Sequence, residues 1–182
     1  MTTELAAIPG PTVPASLTRP HRVSLDDPSL LAWRSFLQAH ARLTRRLDEE
    51  LQANHRLSLA KYDALVQLAL APGRHLRMNV LADRVLLSRS GVTRLVDRLV
   101  ADGMVERSAC ETDARGAEAS LTDTGLGRVR EASVTHLDGI RRYFLEMISQ
   151  ADQAVITRGL SAVIDGLGTP ASGEHPYVEG DA

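Results

Sequence analysis

The 182-residue chain is short of several things, and each shortage removes a class of answers. It has one cysteine, Cys110, so no disulfide can close within the chain and no thiolate metal cluster can be built from it. No run approaches the ~18 apolar residues that a membrane-spanning helix needs. The N-terminus lacks a charged segment followed by an apolar one, so no secretory signal is read and a cytoplasmic location is expected. There is no GxSxG, HExxH or phosphate-binding loop, and the lone glycine pairs Gly125/Gly127 and Gly166/Gly168 sit at helix ends. His40, His55, His75 and His136 are scattered, without a pair at helical spacing that could hold a metal. No catalytic residue, cofactor or metal site is therefore expected. Lysine is nearly absent too: every basic residue but Lys61 is an arginine. Arginine offers a planar fork for phosphate and guanine where lysine offers a point charge, although a genome-wide preference for arginine is a competing explanation.

What is present reads as globular: 43% hydrophobic and 24% charged residues, in a chain long enough for one cored domain with a dimerisation arm. The formal net charge is -2, so any nucleic-acid surface has to come from local concentration. Such a concentration exists. Arg74, Arg77, Arg84, Arg89, Arg94 and Arg98 face only Asp83 and Asp97 over the same stretch.

Within that stretch, residues 89–101 fit a helix. Val92, Leu95, Val96 and Leu99 recur at i, i+3, i+4 and i+7 and form one apolar stripe. Ser90, Thr93, Arg94 and Asp97 gather on the opposite face, flanked by Arg89 and Arg98. Ser88 is placed to cap the first turn, and Gly103 falls where a left-handed residue ends a helix. An ordinary solvated helix is the commoner fate of such a pattern. Here, though, the outer face carries short hydroxyls and arginines, which suit base edges and phosphates. It also lacks the Glu-to-Lys pairs that decorate solvated helices.

The neighbouring segments supply the context. Residues 1–24, rich in proline with Ser and Thr, read as a disordered or loosely attached arm. Asp27 and Pro28 open a first helix running to about Asn54, its apolar residues from Leu30 to Leu51 calling for cover by a second copy. Ser58 caps a second helix ended by Pro72-Gly73, and an extended piece spans residues 74–78. Asn79 caps a brief third helix containing Val80, Leu81, Val85 and Leu86. The third helix, a tight turn and the helix at 89–101 make a helix-turn-helix. Val105–Ser108 and Ser120–Thr122 read as strands of a hairpin wing, with residues 109–119 as its tip. Thr122 caps a long helix to about Ile148, and Asp152 opens another through Leu167. The expected class is mainly α (α+β). It comprises a first dimerisation helix over 25–57, a winged helix-turn-helix over 58–122, C-terminal dimerisation helices over 123–167, and a flexible tail from 168.

The residues Leu57-Ser58-Leu59 with Tyr62 and Leu65, Leu81-Ala82, the run from Ser88 to Leu99, Gly103 to Arg107, Asp113, Arg115, and Leu121-Thr122 with Gly125 follow one another in an order and spacing that resembles the MarR family of winged-helix transcription regulators. The resemblance covers roughly residues 30–167. It implies a homodimer that binds double-stranded palindromic DNA, usually as a repressor. By that resemblance DNA contacts map to Ser88, Arg89, Ser90, Thr93, Arg94 and Arg98. The wing pair maps to Asp113 and Arg115, with Arg115 entering the minor groove. This wing tip has one arginine and no lysine, so that contact would rest on Arg115 alone. Small aromatic or phenolic effectors, or a stress signal, release some members from DNA. By analogy Trp33, Phe36, Leu37, His40 and Tyr62 are candidates for such a cleft, with core and dimer interface as the competing role. The oxidant-sensing cysteine of some members has no counterpart near this N-terminus. The alternative is a winged-helix module used only for protein–protein contact, without DNA binding; a salt-dependent shift on duplex DNA separates the two.

Overall fold

The structure is a computed structural model that describes residues 27–28, 30–110 and 113–168, with the backbone alone at 110 and 113–116. The arm expected over 1–24 and, beyond Gly168, the tail lie outside the described residues. The chain divides into two compact units at Ala39/His40, inside the first helix, α1 (Leu30–His55). In the first unit, Leu30 N donates to Asp27 O at 3.0 Å and Leu31 N to Pro28 O at 3.0 Å, so the chain turns into α1 where Asp27-Pro28 suggests. The rings of Trp33 and Phe36 lie 6.0 Å apart, and both residues are exposed, as are Leu31 and Leu37.

The second unit holds the core. After α1 come α2 (Leu59–Leu70), a 3-10 turn at Pro72–Arg74, β1 (His75–Arg77), α3 (Met78–Arg84), α4 (Arg89–Ala101), β2 (Val105–Cys110), β3 (Asp113–Leu121), α5 (Asp123–Tyr143) and α6 (Gln150–Leu167). This is a winged helix-turn-helix, mainly α, with one antiparallel sheet in the order β1-β3-β2. Leu51, Leu57, Leu65, Leu68, Leu81, Val92, Val96, Leu99 and Val105 are fully buried. Each fully buried aliphatic side chain of this size contributes roughly 1.5–3 kcal/mol relative to exposure. The core thus joins the end of α1, α2, the inner faces of α3 and α4, and the first residue of the wing.

Capping explains several boundaries. Ser58 Oγ accepts from Lys61 N at 3.3 Å, and Asp48 Oδ1, from α1, accepts from Leu59 N at 2.7 Å. Two carboxyl or hydroxyl acceptors therefore serve the free amides at the start of α2. The sequence pattern offers the first cap but not the second, because Asp48 arrives from another helix.

Four expectations need correction. The third helix starts at Met78 on a backbone cap at Arg77 without a side-chain bond, so Asn79 lies inside it and Val85 and Leu86 beyond it. There Leu87 N reaches Ala82 O at 2.9 Å and Leu86 N reaches Asp83 O at 3.3 Å, a Schellman closure with Leu86 at φ 54 where glycine is usual. The wing is longer than its composition suggests: Arg107 pairs with Ala119 and Ala109 with Ala117, so the segment read as a tip is mostly ladder, with an irregularity at Ala109/Cys110. α5 stops at Tyr143 rather than near Ile148, because Phe144 leaves helical geometry and a 3-10 turn, Leu145–Met147, follows. Finally, α6 begins at Gln150, capped by Ser149 Oγ accepting from Asp152 N at 3.2 Å, so Asp152 lies in the first turn instead of opening the helix.

Candidate nucleic-acid interface

α4 occupies the span its periodicity predicts. Val92, Leu95, Val96 and Leu99 face the core, and the outer face stays in solvent. Ser88 Oγ accepts from Gly91 N at 3.1 Å and lies 3.3 Å from Ser90 Oγ, so two hydroxyls cluster at the positive end of the helix. At the other end Gly103 N donates to Val100 O at 2.9 Å and Met104 N to Leu99 O at 2.9 Å, with Gly103 at φ 69. This is a Schellman stop. It turns the chain directly into β2, and so fixes the wing relative to α4.

The candidate contact residues fall as follows. Ser88, Arg89, Ser90, Arg94 and Arg98 are exposed; Thr93 is half-buried and its Oγ1 donates to Arg89 O at 2.9 Å. Arg98 Nε donates to Arg94 O at 3.1 Å, which draws that side chain along the helix. The guanidinium groups of Arg89 and Arg94 make no hydrogen bond or ion pair among the described residues. Asp113 and Arg115 open β3, but their side chains lie outside the described residues.

One contact escaped the sequence reading. Arg107 Nη1, on β2, meets Asp97 Oδ1, on α4, at 3.1 Å. Asp97 is the one acid on the outer face, and a wing arginine engages it. The pair links helix to wing, although both members are substantially exposed and such a pair is worth roughly 0.2–1 kcal/mol. Similarly, Lys61 Nζ reaches Asp102 Oδ2 and ties α2 to the end of α4. Sequence spacing gave no signal for either, since both join segments that periodicity treats separately.

The cleft candidates divide. Trp33, Phe36 and Leu37 are exposed on α1, and so is His40. Tyr62 belongs to the core: its hydroxyl lies 3.0 Å from Ser133 Oγ on α5, and its ring centroid 4.6 Å from that of His136. Burial raises the Tyr62 pKa and lowers that of His136. Among the described residues no group of three or more His, Cys, Asp or Glu side chains could hold a metal ion, and no helix is long and apolar enough to cross a membrane.

Large apolar side chains are bare elsewhere. α6 has no buried residue, and Val155, Leu160, Val163, Ile164 and Leu167 are exposed along it; Val134 and Leu137 are exposed on α5.

Residues 57–116 match a family model described as the MarR family. A comparison with curated proteins gives no match. Among solved structures, the chain is similar to Sco3205, a MarR family transcriptional regulator from Streptomyces coelicolor in complex with DNA: 31% identity, covering 89% of this chain and 99% of that one, with a TM-score of 0.76. AbsC, another MarR family transcriptional regulator from Streptomyces coelicolor, gives 30% identity over 80% of this chain and 97% of that one, with a TM-score of 0.74. A mutant of MarR from E. coli complexed with operator DNA shares the fold, at 21% identity over 78% of this chain and 99% of that one, with a TM-score of 0.68.

Proposed function

The chain belongs to the MarR family of transcription regulators, proteins that are not enzymes, and from that premise we propose that it is a homodimeric DNA-binding repressor that holds palindromic operators in the cytoplasm. The observation that carries the reading is the outer face of α4. Arg89 and Arg94 stand there exposed, without a partner among the described residues, beside the Ser88/Ser90 hydroxyls at the helix N-terminus. Side chains of this kind meet base edges and phosphates in a major groove. Arg94 reads a base edge, Arg89, Ser88, Ser90, Thr93 and Arg98 contact the backbone or neighbouring bases, and Asp113 and Arg115 serve at the wing, with Arg115 in the adjacent minor groove.

A second copy covers the bare apolar side of α6. Seven large aliphatic side chains stand exposed on α5 and α6, and apolar surface gathered in this way marks a protein–protein contact. A two-fold dimer buries the same patch on both subunits and sets the two α4 helices to enter successive major grooves about 34 Å apart. Release by a small effector or a stress signal completes the switch.

The experiment is selection of duplexes from a random pool, followed by footprinting and light scattering. Inverted half-sites about one helical turn apart and a dimer mass are expected, and Leu160→Glu should lose both dimer and DNA. A monomer mass at micromolar concentration, or a footprint without inverted half-sites, overturns the reading.

A further inference from the structure

The geometry points to a ligand site in the groove between α1, α2 and the α3–α4 turn, and the ligand that fits it is a small organic cation, a protonated amine on an apolar body. The groove encloses about 500 Å³ and is lined by Ala41, Thr44, Arg45, Asp48, Leu59, Ala60, Asp63, Val85 and Leu87. That is the size of a small-molecule pocket. None of Trp33, Phe36, Leu37, His40 or Tyr62 lines it.

Charge selects the ligand class. Thr44 Oγ1 is turned back to His40 O at 2.7 Å, and Asp48 Oδ1 holds Leu59 N at 2.7 Å. Arg45 Nε is engaged by Glu49 at 2.9 Å. Asp63 is left: a half-buried carboxyl with no hydrogen bond or ion pair among the described residues, in a wall otherwise made by Leu59, Ala60, Val85 and Leu87. Burial pushes its pKa up to about 6, the behaviour of a carboxylate that lacks a counter-charge. An ammonium donating to Asp63 supplies that charge, and the apolar walls take the rest of the molecule. A carboxylate or phenolate effector would instead face both Asp48 and Asp63. A divalent metal ion needs more oxygen donors than two carboxylates provide.

The groove touches the DNA-reading unit. Val85 and Leu87 flank Leu86, held at φ 54, and lead directly into Ser88, the cap of α4. A ligand wedged between Asp63 and this turn therefore biases the position of α4. This coupling rests on the reading of the protein as a DNA-binding regulator, whereas the site itself does not.

The groove presents Arg45 and Asp48 from α1 and Asp63 from α2, and the turn contributes no titratable side chain to its lining. Because a cation binds the ionised carboxylate, affinity should rise as pH rises from 5 to 7 and level off above.

The test uses the full chain and three matched probes, 2-phenylethylamine, 2-phenylethanol and 3-phenylpropanoate, titrated by calorimetry and by chemical-shift change. The amine should bind about tenfold more tightly than the alcohol, as expected for a hydrogen bond to a charged group, and the carboxylate most weakly. Asp63→Asn should bring the amine to the level of the alcohol and leave the alcohol unchanged. Ala60→Phe, which fills the groove, should abolish all three. Equal binding of amine and carboxylate, indifference of the amine to Asp63→Asn, or no saturation by any probe at millimolar concentration overturns the site. Saturating amine should also change affinity for the selected operator at least threefold, and no change overturns the coupling. If the amine binds as stated while no duplex DNA binds at any salt, the DNA reading fails and the site stands.

Discussion

Gly125 and Gly127 sit one turn or less inside α5 and look alike in sequence, yet they should respond to alanine in opposite directions. In both, alanine gains roughly 0.5–1 kcal/mol of helix preference over glycine. At Gly127 a new Cβ meets nothing within 4 Å, so the gain stands. At Gly125 the new Cβ would lie 2.2 Å from Met104 O and 2.7 Å from Leu121 Cδ1, against 3.4–4 Å for an ordinary contact. Met104 O cannot simply move, because it accepts from Thr122 N at 3.1 Å, while Thr122 Oγ1 donates to Gly103 O at 2.9 Å. Relief separates the start of α5 from the end of α4 and stretches those two bonds, worth about 1 kcal/mol each. With an overpacking cost of ~1–3 kcal/mol, Gly125→Ala should lose about 2–4 kcal/mol net of the helix gain. At ~2–4 °C per kcal/mol for a domain of this size, Tm should fall by roughly 5–15 °C, while Gly127→Ala should raise it by about 1–4 °C. Both are measured by thermal denaturation at one protein concentration. A Gly125→Ala protein as stable as Gly127→Ala would refute the packing described between α5 and the α4–β2 turn.

Further outcomes follow from the same geometry. Leu86→Gly should be neutral to about 1 kcal/mol stabilising in denaturant melts, since leucine at positive φ costs ~1–2 kcal/mol and part of the gain is offset by glycine's freedom in the unfolded chain. A double-mutant cycle on Asp97 and Arg107 should give a coupling of about 0.2–1 kcal/mol at low salt, shrinking toward zero at high salt. The raised Asp63 pKa means the folded protein keeps a proton that the unfolded chain releases, so this group's contribution is present below about pH 4 and lost as pH rises through about 6. Asp63→Asn should therefore gain on wild type between pH 4.5 and 7.5, by about 1 kcal/mol once screening of the partly exposed carboxyl is counted. His136, lowered by burial, acts with the opposite sign in both proteins and cancels in the difference.

The features read correctly from sequence are the local ones. Ser88, Ser58 and Thr122 cap because each reaches an amide three residues on, and the stripe from Val92 to Leu99 needs only helical spacing. What escaped depends mostly on contacts between different elements. Residues 113–119 have turn-like composition, and pairing with β2 overrides it. Asp48 caps a helix it does not belong to, and Arg107 answers an acid on another element. The end of α5 at Phe144 carries neither glycine nor proline, so nothing local announces it. The outward face of α4, with its hydroxyls and arginines, was legible from helical spacing, but the groove with its unpaired Asp63 was not, because its walls come from three separate segments.

The central claim is that the outer face of α4 reads DNA. Its most direct test is binding of wild type, Arg94→Ala and Arg115→Ala to the selected operator and to a scrambled duplex at two salt concentrations. Arg94→Ala should lose ~1–3 kcal/mol on the operator and little on the scrambled duplex. Arg115→Ala should weaken both by similar factors and flatten the salt dependence. Wild-type affinity of both variants for both duplexes at both salts would contradict the claim.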